Sequence, residues 1–147
     1  MFIQKVIQNV LDKNPGNNQG ITPLHQAAEY GNLDVCQYII ENIQDKNPGC
    51  SDGDTPLHRA AEEGHLDICK LIIENVESKN PEDLDGNTPL HVAADEGELG
   101  ICKLIIDNVQ NKNPGNVNGY TALHNAAESG HLEICKMIVG NIQDKNS

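Results

Sequence analysis

Thr22-Pro23-Leu24-His25 returns as Thr55-Pro56-Leu57-His58 and as Thr88-Pro89-Leu90-His91, and Thr121-Ala122-Leu123-His124 continues the series at a constant step of 33 residues. Other positions keep the same step. The pairs Ala27-Ala28, Ala60-Ala61, Ala93-Ala94 and Ala126-Ala127 line up, as do Gly31, Gly64, Gly97 and Gly130. A chain that writes one unit four times folds as copies of one supersecondary element. None of these can cover its own apolar side, so the copies must stack on one another.

Each unit reads as two helices and a turn. Thr55 stands at an N-cap, with its hydroxyl available to an orphan backbone N–H. Pro56 follows at the first helical position, where its missing N–H costs nothing. Leu57, Ala60 and Ala61 give a short helix with a thin apolar face, and Gly64 ends it in the left-handed region. A second helix opens near Leu66. Its Ile68–Ile72–Val76 and Cys69–Ile73 spacings gather the bulk on one stripe. Lys79-Asn80-Pro81 stops it, because proline disfavours the helical region for the residue before it. Residues 82–87 are turn formers and project as a loop before the next Thr-Pro.

The 33-residue period with a Thr-Pro-Leu-His-x-Ala core resembles the ankyrin repeat over nearly the whole chain. The resemblance implies an all-α solenoid of stacked helix-turn-helix units with projecting β-turn loops. It divides a single domain into an N-terminal half repeat (residues 1–19) and repeats at 20–52, 53–85, 86–118 and 119–147. In the half repeat, Val6, Ile7 and Val10 align with Ile39, Ile40 and Ile43, so residues 1 to about 12 read as a second helix without its first. One departure stands out. The family places Gly-Ala-Asp after the second helix, whereas this chain has Asn42-Ile43-Gln44, Asn75-Val76-Glu77, Asn108-Val109-Gln110 and Asn141-Ile142-Gln143. Loss of the stop glycine predicts a second helix extended by up to a turn.

The formal net charge is −12, from 22 acidic and 10 basic residues. That balance opposes nucleic-acid binding through phosphates and docking on anionic lipid. No apolar run reaches the ~18 residues of a membrane helix, and no signal peptide opens the chain. Cys36, Cys69, Cys102 and Cys135 follow the repeat step on the apolar stripe of the second helix. Neighbouring helices pack about 8–10 Å apart, beyond the roughly 7 Å a disulfide spans, so these four read as reduced core residues. Cys50, in a turn, is the one expected to be accessible. This usage suits a reducing, cytoplasmic setting, with an extracellular one still open.

Periodic His25, His58, His91 and His124 stand one repeat apart. They cannot converge on a zinc ion, whose nitrogen ligands sit at about 2.0–2.1 Å. The resemblance gives them a structural role instead, bonding the motif threonine and nearby backbone. His65 and His131, at the start of second helices, are taken as structural too. No nucleophile elbow, phosphate loop or Cys-x-x-Cys occurs, and acidic pairs such as Glu62-Glu63 and Asp95-Glu96 lack an enclosed site to tune them. The reading is of a non-enzymatic protein without cofactor or metal.

What varies between repeats marks what stacking does not constrain: the turn tips and the exposed side of the first helix. In ankyrin-repeat proteins these form a concave partner groove. Here the resemblance places Tyr30, Asp52, Asp54, Arg59, Glu62, Glu63, Asp85, Val92, Asp95, Glu96 and Tyr120 along it. Apolar anchors inside an acidic rim suit a protein partner, most readily a basic one. The leading function is thus a protein-interaction module or scaffold segment. Two alternatives stand beside it. One is a self-assembling array joined weakly end to end through Ile134, Ile138 and Ile142; the other is an engineered repeat array without a natural partner. Gly100, where other repeats carry Asp34, Asp67 and Glu133, speaks for natural drift, since Gly lowers helix propensity by about 1 kcal/mol.

Overall fold

The computed structural model describes residues 13–146. The half-repeat helix expected over residues 1–12 lies outside the described residues. Among the described residues eight helices form four pairs: α1 (Pro23–Glu29) and α2 (Leu33–Asn42), α3 (Pro56–Glu62) and α4 (Leu66–Asn75), α5 (Pro89–Glu96) and α6 (Leu99–Asn108), α7 (Ala122–Ser129) and α8 (Leu132–Asn146). The first helices pack α1 on α3, α3 on α5 and α5 on α7, while the second helices form a parallel outer row. The chain is an all-α repeat solenoid.

Local chemistry starts each first helix. Thr22 Oγ1 accepts from His25 N–H at 3.2 Å, and His25 Nδ1 accepts from Thr22 N–H at 3.1 Å. This is a capping box with histidine in the place usually held by Glu or Gln. Because a backbone N–H can only donate, Nδ1 must be unprotonated, and the hydrogen sits on Nε2. That nitrogen reaches the next repeat, where His25, His58 and His91 donate to the carbonyls of Asp54, Asn87 and Tyr120 at 2.7, 2.9 and 2.8 Å. One side chain thus caps its own helix and ties two repeats together.

The alanine pairs of repeats one to three, with Ala126, remain small so that first helices approach closely, and with Leu, Ile and Cys they form one continuous buried core. Cys36, Cys69 and Cys102 are fully buried and all five cysteines are free. Cys135 is only half-buried, against expectation, because no repeat among the described residues covers it. Cys50 is half-buried as well.

The second helices of repeats one to three are not extended. Each ends at Asn42, Asn75 or Asn108, and the next residue is already in extended backbone, with Val76 at φ −122° and ψ 156°. A cationic cap replaces the absent glycine. Lys79 Nζ donates to the carbonyls of Ile73 and Val76 at 2.7 and 2.6 Å, and Lys112 does the same to Ile106 and Val109. Positive charge belongs at a helix C-terminus. Asn75 Nδ2 closes the turn on the Leu71 carbonyl, and Val76 packs against the core. Asn80 Oδ1 then accepts Leu90 N–H at 3.0 Å, carrying the exit of one repeat to the first helix of the next. Only α8 runs past its asparagine, to Asn146.

The turn fingers link sideways through backbone bonds. Ser51, Leu84 and Val117 N–H donate to the carbonyls of Gln19, Asp52 and Asp85 at 2.8, 3.0 and 3.0 Å. This contact explains Gly53, at φ +79°: a Cβ there would lie 2.8 Å from Leu84 N.

Candidate protein-binding groove

The fingers and the first helices together set out the candidate residues. Asp52 and Asp85 project from successive fingers, and Glu62, Glu63, Asp95 and Glu96 are exposed at the ends of α3 and α5. The Glu62 carboxyl is held above the usual carboxylate range. Partial burial is the main cause, and the charges of Asp54, Glu63, Glu96 and Glu29 add to it. These carboxylates from three successive repeats therefore share one field.

Arg59 is less available than its sequence position suggested. Its Nε donates to Asp54 Oδ2 at 3.0 Å and its Nη1 to Glu29 Oε1 at 2.6 Å, so it is spent joining two repeats. Asp54 is engaged by the same bond. A cleft of about 520 Å³ beside them is lined by Cys50, Asp52, Asp83, Leu84 and Asp85 together with Asp54 and Arg59. Four carboxylates against one committed guanidinium leave that cleft negative.

Among the apolar candidates, Tyr30 is 71% exposed and Tyr120 is exposed with its ring edge-on to His124. Val92 is half-buried and packs against the core. Asp95 accepts from Ser129 Oγ at 2.9 Å. Two residues were missed in the sequence. Leu84 and Val117 stand at the tips of adjacent fingers, each about 70% exposed. The signal was there: the series Asn18, Ser51, Leu84, Val117 turns from polar to apolar along the array.

The end positions differ from the sequence expectation. Ile134 and Ile138 are buried, as their counterparts Ile101 and Ile105 are in repeat three. Ile142 is half-buried and packs on the core. The residues opened at that end are Ala127, Cys135 and Val139 instead.

His65 Nε2 donates to the Glu29 carbonyl at 3.0 Å and His131 Nε2 to the Asp95 carbonyl at 3.1 Å, each ring lying over a left-handed glycine of the preceding repeat. Among the described residues no three His, Cys, Asp or Glu side chains are grouped to hold a metal ion. No helix among them is long and apolar enough to cross a membrane.

A family profile described as ankyrin repeats in three copies matches residues 2–83 and again 74–147. The array of capped helix pairs is therefore that of the ankyrin-repeat family, and the chain belongs to it. Proteins of this family generally mediate protein–protein interaction and are typically non-enzymatic. No match to a curated protein was found.

Proposed function

We propose that this chain is a protein-interaction module that takes a basic partner along the finger and inner-helix edge of repeats one to three. The observation that carries the reading is the field at Glu62, whose carboxyl is held high first by partial burial and then by the charges of Asp54, Glu63, Glu96 and Glu29 from three successive repeats. A cationic partner relieves that repulsion, and complementary charge speeds its approach. Tyr30 and the finger-tip Leu84 supply apolar contact area within the acidic rim. The same field repels nucleic acid and anionic membranes. The free cysteines fit a reducing, cytoplasmic setting.

The test is selection of binding peptides from a displayed random library, run in parallel on the parent and on a variant carrying Glu62, Glu63, Asp95 and Glu96 all changed to Lys. The parent should enrich sequences rich in Lys and Arg with an apolar residue among them, and the variant should lose them while keeping its helical spectrum. Enrichment of the same peptides by both proteins would count against the groove.

A further inference from the structure

At the junction of repeats one and two the groove holds a cation of its own. The Arg59 guanidinium uses two separate nitrogens there: Nη1 donates to Glu29 Oε1 at 2.6 Å and Nε to Asp54 Oδ2 at 3.0 Å. Glu29 is the last residue of α1, Asp54 directly precedes the N-cap Thr55, and Arg59 stands on α3. With 18% of its side chain exposed, Arg59 is largely covered. The frame is a helix-end carboxylate of one repeat, joined through a guanidinium to a finger oxygen of the next.

The repeat step carries that frame to the junction of repeats two and three with its donor removed. Glu29 becomes Glu62, Asp54 becomes Asn87 and Arg59 becomes Val92. Glu62 ends α3 as Glu29 ends α1, and Asn87 precedes Thr88 as Asp54 precedes Thr55. Valine stops at Cγ and donates nothing. Among the described residues Glu62 has neither a hydrogen bond nor an ion pair, and its carboxyl is held high by partial burial first and by its acidic neighbours second. Asn87 Oδ1 accepts one bond, from Asn116 Nδ2 at 2.9 Å, and a carbonyl oxygen has a second lone pair to offer. The next junction loses the frame. Asp95 accepts from Ser129 Oγ, Tyr120 replaces the finger oxygen, and Asn125 Nδ2 donates to the His91 carbonyl.

Building on the reading of a basic partner, we propose that the junction of repeats two and three receives an arginine side chain of that partner, its guanidinium lying over Val92 and joining Glu62 to the Asn87 amide oxygen. The chain supplies the template itself, since Arg59 makes the same bridge one repeat earlier. Arginine fits better than lysine. Two oxygens on different repeats are met by different nitrogens of one planar fork, whereas an ammonium is a single, strongly hydrated point charge. The methyl groups of Val92 suit the weakly hydrated guanidinium, and the charges of Asp54, Glu63, Glu96 and Glu29, which oppose ionisation of Glu62, all favour a cation beside it.

Amide chemical shifts of the full chain, titrated with N-acetyl-arginine amide and separately with N-acetyl-lysine amide, test the cradle. The parent should show saturable shifts centred on Glu62, Asn87 and Val92 with the arginine compound, and the lysine compound should bind several-fold more weakly. Val92→Arg supplies the cation from within. It should abolish those shifts and lower the pKa of Glu62, read from its side-chain carboxyl carbon. Glu62→Gln, at an exposed position, should abolish them too and serves should Val92→Arg disturb the packing beneath it. Arg59→Val should do the converse and add a second set of saturable shifts at Glu29 and Asp54. Shifts that persist in both Val92→Arg and Glu62→Gln, equal binding of the two compounds, or no saturable shift in the parent would each overturn the proposal. Val92→Arg keeps Glu62, Glu63, Asp95 and Glu96, so its selection from the peptide library separates the two readings: loss of the cradle with basic peptides still enriched leaves the acidic groove standing.

Discussion

His25 and His91 are buried as neutral rings, each accepting at Nδ1 and donating at Nε2, and burial lowers their pKa from the ordinary 6.5. Protonation would put a hydrogen on Nδ1, facing the Thr N–H that it must accept. The sign follows from linkage. A folded-state pKa below the unfolded one gives stability that is full above about pH 6.5 and is lost as pH falls toward the lower folded value. Urea midpoints should therefore hold from pH 8 to 7 and drop as pH falls below about 6.5. Replacing His91 by Ala should cost about 2–3 kcal/mol, as it orphans buried backbone groups on two repeats. His124→Ala, at an exposed ring, should cost clearly less. Equal losses would contradict the bridging role. Thiol chemistry gives a second residue-scale expectation. Burial pushes the thiol of Cys36 up to about 11 and those of Cys69 and Cys102 up to about 12, which suppresses the reactive thiolate. Labelling of the folded protein should modify Cys50 and Cys135 and spare the other three until unfolding. The sequence alone points to Cys50 only. Its periodicity says that Cys135 belongs to the same stripe, but it is silent on whether anything lies beyond that stripe.

At the scale of elements, the Thr-Pro starts and glycine stops of the first helices were legible because capping and proline geometry are local. The ends of the second helices were not. Substituting Asn-Val for the usual Gly-Ala looks like a lost stop signal, and the device that replaces it is the ammonium of Lys79, four residues past the end of α4. Ile134 and Ile138 illustrate a second limit: helical periodicity assigns residues to the apolar face, but it cannot say which of two neighbouring repeats each one meets. The fingers permit a controlled test of such contacts. Gly53 and Gly119 share the left-handed backbone, at φ +79° and +82°, yet a Cβ at Gly53 meets Leu84 N at 2.8 Å while one at Gly119 meets nothing within 4 Å. Changing either to Ala costs about 1–2 kcal/mol for the backbone alone. Gly53→Ala should cost more than Gly119→Ala by denaturation, by roughly 1–3 kcal/mol of overpacking. Equal costs would mean that the fingers are not in close contact.

Over the whole molecule, stability is a sum of repeats and their interfaces, while the proposed binding edge is one that stacking leaves free. The fold of such an array is written many times in its sequence, hence its legibility. The groove is written once, in side chains whose partners become visible only in three dimensions. Arg59 shows the difference, reading as a free cation in an acidic row and standing in the structure as a bridge between Asp54 and Glu29. The claim that an acidic edge recognises a basic partner is tested most directly by the association rate of a selected basic peptide as a function of ionic strength. Charges on the edge are screened beyond about 8 Å at physiological salt, so the rate should fall steeply, by about tenfold or more from low to high salt. The dissociation rate should change much less. An association rate that does not depend on salt would contradict recognition through the acidic groove.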